Sequence, residues 1–154
     1  MKGRLVGLDY GVKRIGIALS DSDQQIAFPY GALTTGRRMK ETIQQLNKLL
    51  QEIEQEKGEP IVAVIIGLPL MMNGQQGLQA DEVELFAQEL APLLQKPVTL
   101  WDERLTSVQA DRVLRESNLN RKQRSQKVDG VAATLILQSY LDAERNGRDS
   151  DCSP

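Results

Sequence analysis

Near the start of the chain, apolar positions alternate with others twice, over Leu5 to Asp9 and over Arg14 to Ser20. This period of two predicts two strands, with Leu5, Gly7 and Asp9 on one face of the first and Ile15, Ile17 and Leu19 on one face of the second. The short link Tyr10-Gly11-Val12-Lys13 joins them as an antiparallel hairpin. Ile26 to Leu33 reads as a weaker third strand, and Pro29 within it suits a sheet edge because proline has no N–H for a ladder. The period then lengthens. Met39, Ile43, Leu46, Leu50 and Ile53 follow helical spacing, with Thr34 or Thr35 as the expected cap and Gly58 and Pro60 as the stop.

Ile61 to Ile66 is an unbroken apolar run, mostly β-branched, the pattern of a strand covered by helices on both faces. A second helix is predicted over Leu78 to Leu94, with Val83, Phe86, Leu90 and Leu93 as its inner stripe. Pro97 to Trp101 predicts a fifth strand, and Thr106 with Gln109 forms a capping box for a third helix. A final helix is expected from about Val128 to Glu144, ended by Asn146-Gly147. Strands joined through helices run parallel with a right-handed crossover. The expected class is therefore α/β, a five-stranded mixed sheet of three antiparallel strands followed by two parallel strands, flanked by helices. One domain over residues 1–145 and a flexible polar tail over 146–154 are expected.

In this arrangement the carboxyl ends of the first, fourth and fifth strands share one sheet edge, the edge at which open α/β sheets bind ligands. Asp9, the Gly67-Leu68-Pro69 corner and the Asp102-Glu103 pair fall there. Asp102 or Glu103 could equally serve the positive amino end of the following helix. Asp129 projects, at 100° per residue, onto the apolar stripe containing Ala132, Ala133, Ile136 and Tyr140, which would turn it toward the sheet; as an N-cap it would escape that projection. Burying an ionised carboxylate without a partner is costly. An inward Asp129 beside two other acids therefore calls for a cation.

Composition narrows the chemistry. There is no histidine among the 154 residues, which excludes Ser-His-Asp, Cys-His and histidine-ligated zinc chemistry. The single cysteine, Cys152, lies in the polar tail, so no intrachain disulfide can form. No apolar run approaches the roughly 20 residues a membrane helix needs, and a soluble, cytoplasmic protein without a membrane partner is expected. The net charge of −2 hides an uneven pattern. Between Gly58 and Gln95 the only charged residues are Glu59, Asp81, Glu82, Glu84 and Glu89, whereas Arg112, Arg115, Arg121, Lys122, Arg124 and Lys127 face a single Glu116.

Converging carboxylates without histidine or cysteine make an all-oxygen site suited to Mg²⁺ or Mn²⁺. Two such ions support phosphodiester hydrolysis. The basic stretch, together with Lys13, Arg14 and Arg104, supplies candidate contacts to a phosphate backbone. With aromatic residues at 4%, recognition by shape is expected over base stacking.

The segments "GLDYGVKRIGIALSD", "IIGLPLMMNG", "WDERLTS" and "KVDGVAATLILQSYL" resemble, in order and spacing, the motifs of the YqgF (RuvX) family over roughly Met1 to Ala143. Members are RNase H-like proteins described as Holliday-junction resolvases and as pre-16S rRNA processing nucleases. The resemblance implies that Asp9, Glu103 and Asp129 are the metal-binding catalytic acids, that Gly7, Gly11 and Gly16 shape the hairpin beside them, and that Thr106 supports Glu103. Met71, Asn73 and Ser107 depart from the usual family pattern but leave the acids intact. The function so implied is a metal-dependent nuclease processing the 5′ end of precursor 16S rRNA. The alternatives are a resolvase acting on branched DNA, a non-catalytic RNA- or ribosome-binding module, and an actin-like nucleotide binder. Structured RNA or branched DNA and a ribosome or pre-ribosomal particle are the expected partners, and the chain is expected as a monomer or weak homodimer.

Overall fold

A computed structural model of the protein describes residues 3–70, 77–105 and 130–151. The chain runs β1 (Arg4–Tyr10), β2 (Arg14–Ser20), β3 (Ala27–Thr34), α1 (Met39–Lys57), β4 (Ile61–Leu68), α2 (Leu78–Leu94), β5 (Val98–Asp102), a 3₁₀ turn (Glu103–Leu105) and α3 (Val131–Asp151). The five strands form one sheet in the order β3-β2-β1-β4-β5. β1 pairs antiparallel with β2 and parallel with β4, and β4 pairs parallel with β5, as the crossover argument predicts. β3 is an edge strand, and the β2–β3 register slips between Ile17 and Ala18, where Ile17 faces Gly31 but Ala18 faces Pro29. The extra residue is accommodated beside the proline, which cannot join a regular ladder.

The pleat divides β1 between two cores. Val6, Leu8 and Tyr10 point into the larger one with Ile15, Ile17 and Leu19 of β2, and α1 and α2 cover it through residues including Leu46, Leu50, Phe86 and Leu90. Leu5 points the other way, with Ala18 of β2 and Ile65 of β4, into a smaller core closed by Ala133, Ile136, Leu137 and Leu141 of α3. Period two thus puts Gly7 and Asp9 on the α3 side of the sheet.

Several boundaries differ from those predicted. Neither Thr34 nor Thr35 caps α1: its N-cap is Arg38, without a side-chain cap bond, while the Thr35 hydroxyl donates to the Val12 carbonyl. Gly58 does end this helix, in the left-handed conformation at φ 67°. In α2 the buried residues are Ala80, Val83, Phe86, Ala87, Leu90 and Leu94, so Leu94 replaces Leu93 in the inner stripe. In α3 Ala132 is exposed and Leu137 and Leu141 complete the buried stripe. This helix continues past Asn146-Gly147, since one glycine costs a helix only about 1 kcal/mol. The predicted capping box at Thr106, the basic stretch from Arg112 to Lys127, Asp129 and the loop residues Met71 to Gly74 lie outside the described residues. Among the described residues no helix is long and apolar enough to cross a membrane.

Candidate active site

Asp9 is the penultimate residue of β1 and stands on the α3 face of the sheet, opposite Gly16 of β2. Glu103 begins the 3₁₀ turn that follows β5. Between β1 and β5 lies β4, so at roughly 4.8 Å per strand spacing the two backbones are about 10 Å apart. The side chains nevertheless meet: Glu103 donates a hydrogen bond to the Asp9 carboxylate. What leaves the path open is Gly67 of β4, the middle strand of the parallel trio, paired with Trp101 in register. A Cβ at position 67 would lie 2.7 Å from Glu103 Oε1 and 2.8 Å from its Cγ. Glu103 therefore lies across β4 over a residue with no side chain.

The neighbouring Asp102 takes a different role. Its Oδ1 accepts from the Arg104 backbone N–H at 2.9 Å, and its carboxylate holds the Arg104 guanidinium at 2.7 Å. The sequence leaves open which of the two acids serves the turn; Asp102 does, and Glu103 goes to the site. The β5 end that carries both is anchored by Trp101, whose indole N–H donates to Ser139 Oγ at 3.1 Å and whose ring meets Tyr140 edge-on.

The electrostatics follow from crowding two acids into a half-buried place. Burial raises the Glu103 pKa, and the Asp9 charge, the bond to Asp9 and the Asp102 charge raise it further, to about 7 against an ordinary 4.5. Burial likewise raises Asp9, opposed by the hydrogen bond it receives from Glu103. Both acids are thereby shifted toward holding a proton between them. A pair of oxygen-donor carboxylates that must hold a proton to lie together is matched to a divalent cation, which supplies the same neutralisation with a larger charge. The donor set fits such an ion. Among the described residues no group of three or more potential metal-binding side chains is gathered.

Gly7 keeps this face of the sheet close to α3, and Gly16 and Gly11 shape the hairpin beside Asp9. A Cβ on Gly7 would lie 2.7 Å from Leu137 Cβ and 2.9 Å from the Ala133 carbonyl. A Cβ on Gly16 would lie 3.6 Å from Asp9 Cβ and 3.6 Å from both the nitrogen and Cα of Gly130. Gly11 closes the hairpin, its N–H donating to the Arg14 carbonyl at 2.9 Å. The backbone entering α3 therefore passes beside Asp9 and Gly16. It does so with Gly130 at φ 90°, a left-handed geometry that helical projection does not anticipate. The helix begins at Val131 rather than near Val128, and Asp129 itself lies outside the described residues. Lys13 and Arg14 are exposed at the hairpin end, and Arg104 is engaged by Asp102. The Gly67-Leu68-Pro69 corner falls on this edge as expected from the sequence, but the space Gly67 leaves for Glu103 and the left-handed turn at Gly130 follow from no local pattern.

A five-stranded mixed sheet ordered β3-β2-β1-β4-β5, with acids at the ends of β1 and β5, defines an RNase H-like protein. The structure of T. thermophilus RuvC in complex with a Holliday junction substrate shares this fold, with a TM-score of 0.61 at 14% identity over 94% of this chain and 96% of that one. The chain belongs to the RuvX family, whose model, described as Holliday junction resolvase, matches residues 3–143. A relative from Protochlamydia amoebophila is 48% identical over 91% of this chain and 93% of its own length, and one from Syntrophomonas wolfei is 44% identical over 95% and 99%. Both carry the name "Putative pre-16S rRNA nuclease". Family and relatives agree on nuclease chemistry.

Proposed function

We propose that the protein is a divalent-metal-dependent nuclease that trims the 5′ end of precursor 16S rRNA, with Asp9, Glu103 and Asp129 as its metal-binding acids. The observation that carries this reading is the meeting of Asp9 and Glu103 across β4, from two strands that are not neighbours. Two acids brought together at a protonation cost, on the ligand-binding edge of an α/β sheet, make a functional constellation the simpler account.

The residues divide the work by position. Asp9 and Glu103 would hold Mg²⁺ or Mn²⁺ through hard oxygen donors, and Asp129, next to the Gly130 backbone that passes Asp9, supports a third ligand. Divalent ions bound there supply water activation and stabilisation of the departing oxygen in phosphodiester hydrolysis. Lys13 and Arg14, exposed at the tip of the β1–β2 hairpin, and the stretch containing Arg112, Arg115, Arg121, Lys122, Arg124 and Lys127 would grip phosphates. Arg104 orders the turn through Asp102, so its first duty is to present Glu103. Gly7 lets α3 approach the sheet beside the acids, Gly11 and Gly16 would shape the hairpin next to Asp9, and Thr106 would support Glu103. A single domain over residues 1–145, acting as a monomer or weak homodimer on a pre-ribosomal particle, completes the reading.

A junction resolvase is the second reading, favoured by the description of the family model. Incubating the purified protein with structured precursor RNA and with four-way DNA junctions, in Mg²⁺ or Mn²⁺, separates the two. RNA cleavage lost in Asp9→Asn supports the proposal; cleavage confined to junctions favours the resolvase. Equal cleavage by wild type and Asp9→Asn on every substrate would remove the enzymatic reading and leave a binding module. Thermal stabilisation by nucleotide would favour an actin-like binder instead.

A further inference from the structure

We propose that Gly67 is a positioning residue of the nuclease site: its missing side chain is the channel through which Glu103 reaches Asp9. The inference rests on the reading of Asp9 and Glu103 as metal ligands and adds a residue from a third strand.

The geometry is specific. A methyl at position 67 would meet three atoms, Ile136 Cδ1 at 2.5 Å, Glu103 Oε1 at 2.7 Å and Glu103 Cγ at 2.8 Å. All three belong to side chains, and two are side-chain tips. At Gly7 and Gly130, by contrast, a Cβ would strike backbone carbonyls, of Ala133 at 2.9 Å and of Ile17 at 2.7 Å. Adding a methyl there pushes main chain apart. Adding one at Gly67 is relieved by turning two side chains, so the fold tolerates it while Glu103 does not keep its place.

The backbone itself does not require glycine at this position. Positive φ among the described glycines is confined to Gly58 and Gly130, so Gly67 sits in a conformation open to any residue. Its neighbours Ile65, Ile66 and Leu68 in β4 are all large. Glycine in a strand interior weakens the strand and marks a close approach, and here what approaches is the reactive carboxylate. Ile136 from α3 closes the remaining side, so the methyl has no third direction in which to fit.

The test compares the full-length wild type, Gly67→Ala, Gly67→Ala with Ile136→Ala, and Glu103→Gln. Each is assayed for Mn²⁺ affinity by calorimetry, for thermal midpoint, for kcat and KM on precursor RNA, and by crystallography. Gly67→Ala is expected to stay folded with a midpoint near that of wild type. Its Mn²⁺ affinity and kcat are expected to fall about 10- to 100-fold, as when a group orienting a metal ligand is lost, with KM little changed. The double variant, which removes the clash with α3 but not the one with Glu103, is expected to remain defective. Wild-type Mn²⁺ affinity and kcat in Gly67→Ala would overturn the proposal, and so would full recovery in the double variant. If Glu103→Gln matches wild type in both readouts, the metal-ligand reading fails instead. The crystal structure of Gly67→Ala then decides the positioning claim alone: Glu103 still bonded to Asp9 overturns it, and Glu103 turned away supports it.

Discussion

Glu103 holds its proton more tightly in the folded protein than in the unfolded chain, because burial and the Asp9 charge both disfavour its ionised form. Between its ordinary 4.5 and its folded value of about 7, the folded state therefore binds more protons than the unfolded one. Stability must fall as pH rises through that window, and Asp9, shifted in the same direction, adds to the slope. The metal-free protein is thus expected to melt at a lower temperature at about pH 8 than at about pH 5, and Glu103→Gln to flatten that decline and melt higher than wild type at the alkaline end. Mn²⁺ should reverse the loss in wild type, by about 2.7 kcal/mol at 100 times its dissociation constant. Thermal scans across pH, in chelator and in Mn²⁺, read both effects; an unchanged wild-type midpoint on adding Mn²⁺ at alkaline pH would count against a cation site. Asp9 was legible in the sequence because an alternating strand ends on it. The division between Asp102 and Glu103 was not, since both follow the same strand and only the 3₁₀ turn aims one back over the sheet. Gly67 was legible as part of the corner on this edge but its role was not, because the atoms it makes room for belong to the turn after β5 and to α3, and no local pattern records them.

The elements themselves were mostly visible because each carries one clean period, two in β1 and β2 and 3.6 in α1 and α2. What failed was phase at the helix ends. In α2 the stripe was placed on Leu93, which is 46% exposed, whereas Leu94 is 8% exposed and packs inward. Leu90 plus three and Leu90 plus four are both helical neighbours of the stripe, and the choice between them depends on where the neighbouring layer lies. Leu94→Ala is accordingly expected to cost about 2–5 kcal/mol and Leu93→Ala about 0.5 kcal/mol or less, measured by denaturant unfolding. Similar losses for the two would contradict the packing described here. Periodicity places the start of α3 near Val128, but the helix begins at Val131, after Gly130 at φ 90°. Gly130→Ala would combine left-handed strain of about 1–2 kcal/mol with a methyl against the Ile17 carbonyl. Its midpoint and its nuclease rate should fall together, in contrast to Gly67→Ala, whose rate should fall alone.

At the scale of the molecule, the sheet separates two cores, and the acids sit on the side of the smaller one, where α3 covers the strands among the described residues. Charge is divided unevenly. α2, on the opposite face, carries Asp81, Glu82, Glu84 and Glu89 without one basic residue, while six bases against one acid occupy Arg112 to Lys127. A net charge of −2 would argue against a polyanionic substrate if the charges were mixed. Segregated, they allow one region to bind phosphates while the acidic helix discourages binding elsewhere, and within a screening length of about 8–10 Å only the local charges matter. Affinity for precursor RNA should therefore fall steeply with salt despite the acidic average. If Arg121 and Lys122 contact phosphates as proposed, Arg121→Ala or Lys122→Ala is expected to flatten the slope of log affinity against log salt by about 0.7–0.9. Glu89→Gln, on the exposed side of α2, should leave that slope unchanged, and Asp9→Asn in chelator should bind as wild type does while failing to cleave in Mn²⁺. Filter binding across a salt series measures all of these. A slope that responds to Glu89→Gln but not to Arg121→Ala or Lys122→Ala would place the nucleic acid on the wrong face of the sheet for Asp9 and Glu103 to act on it.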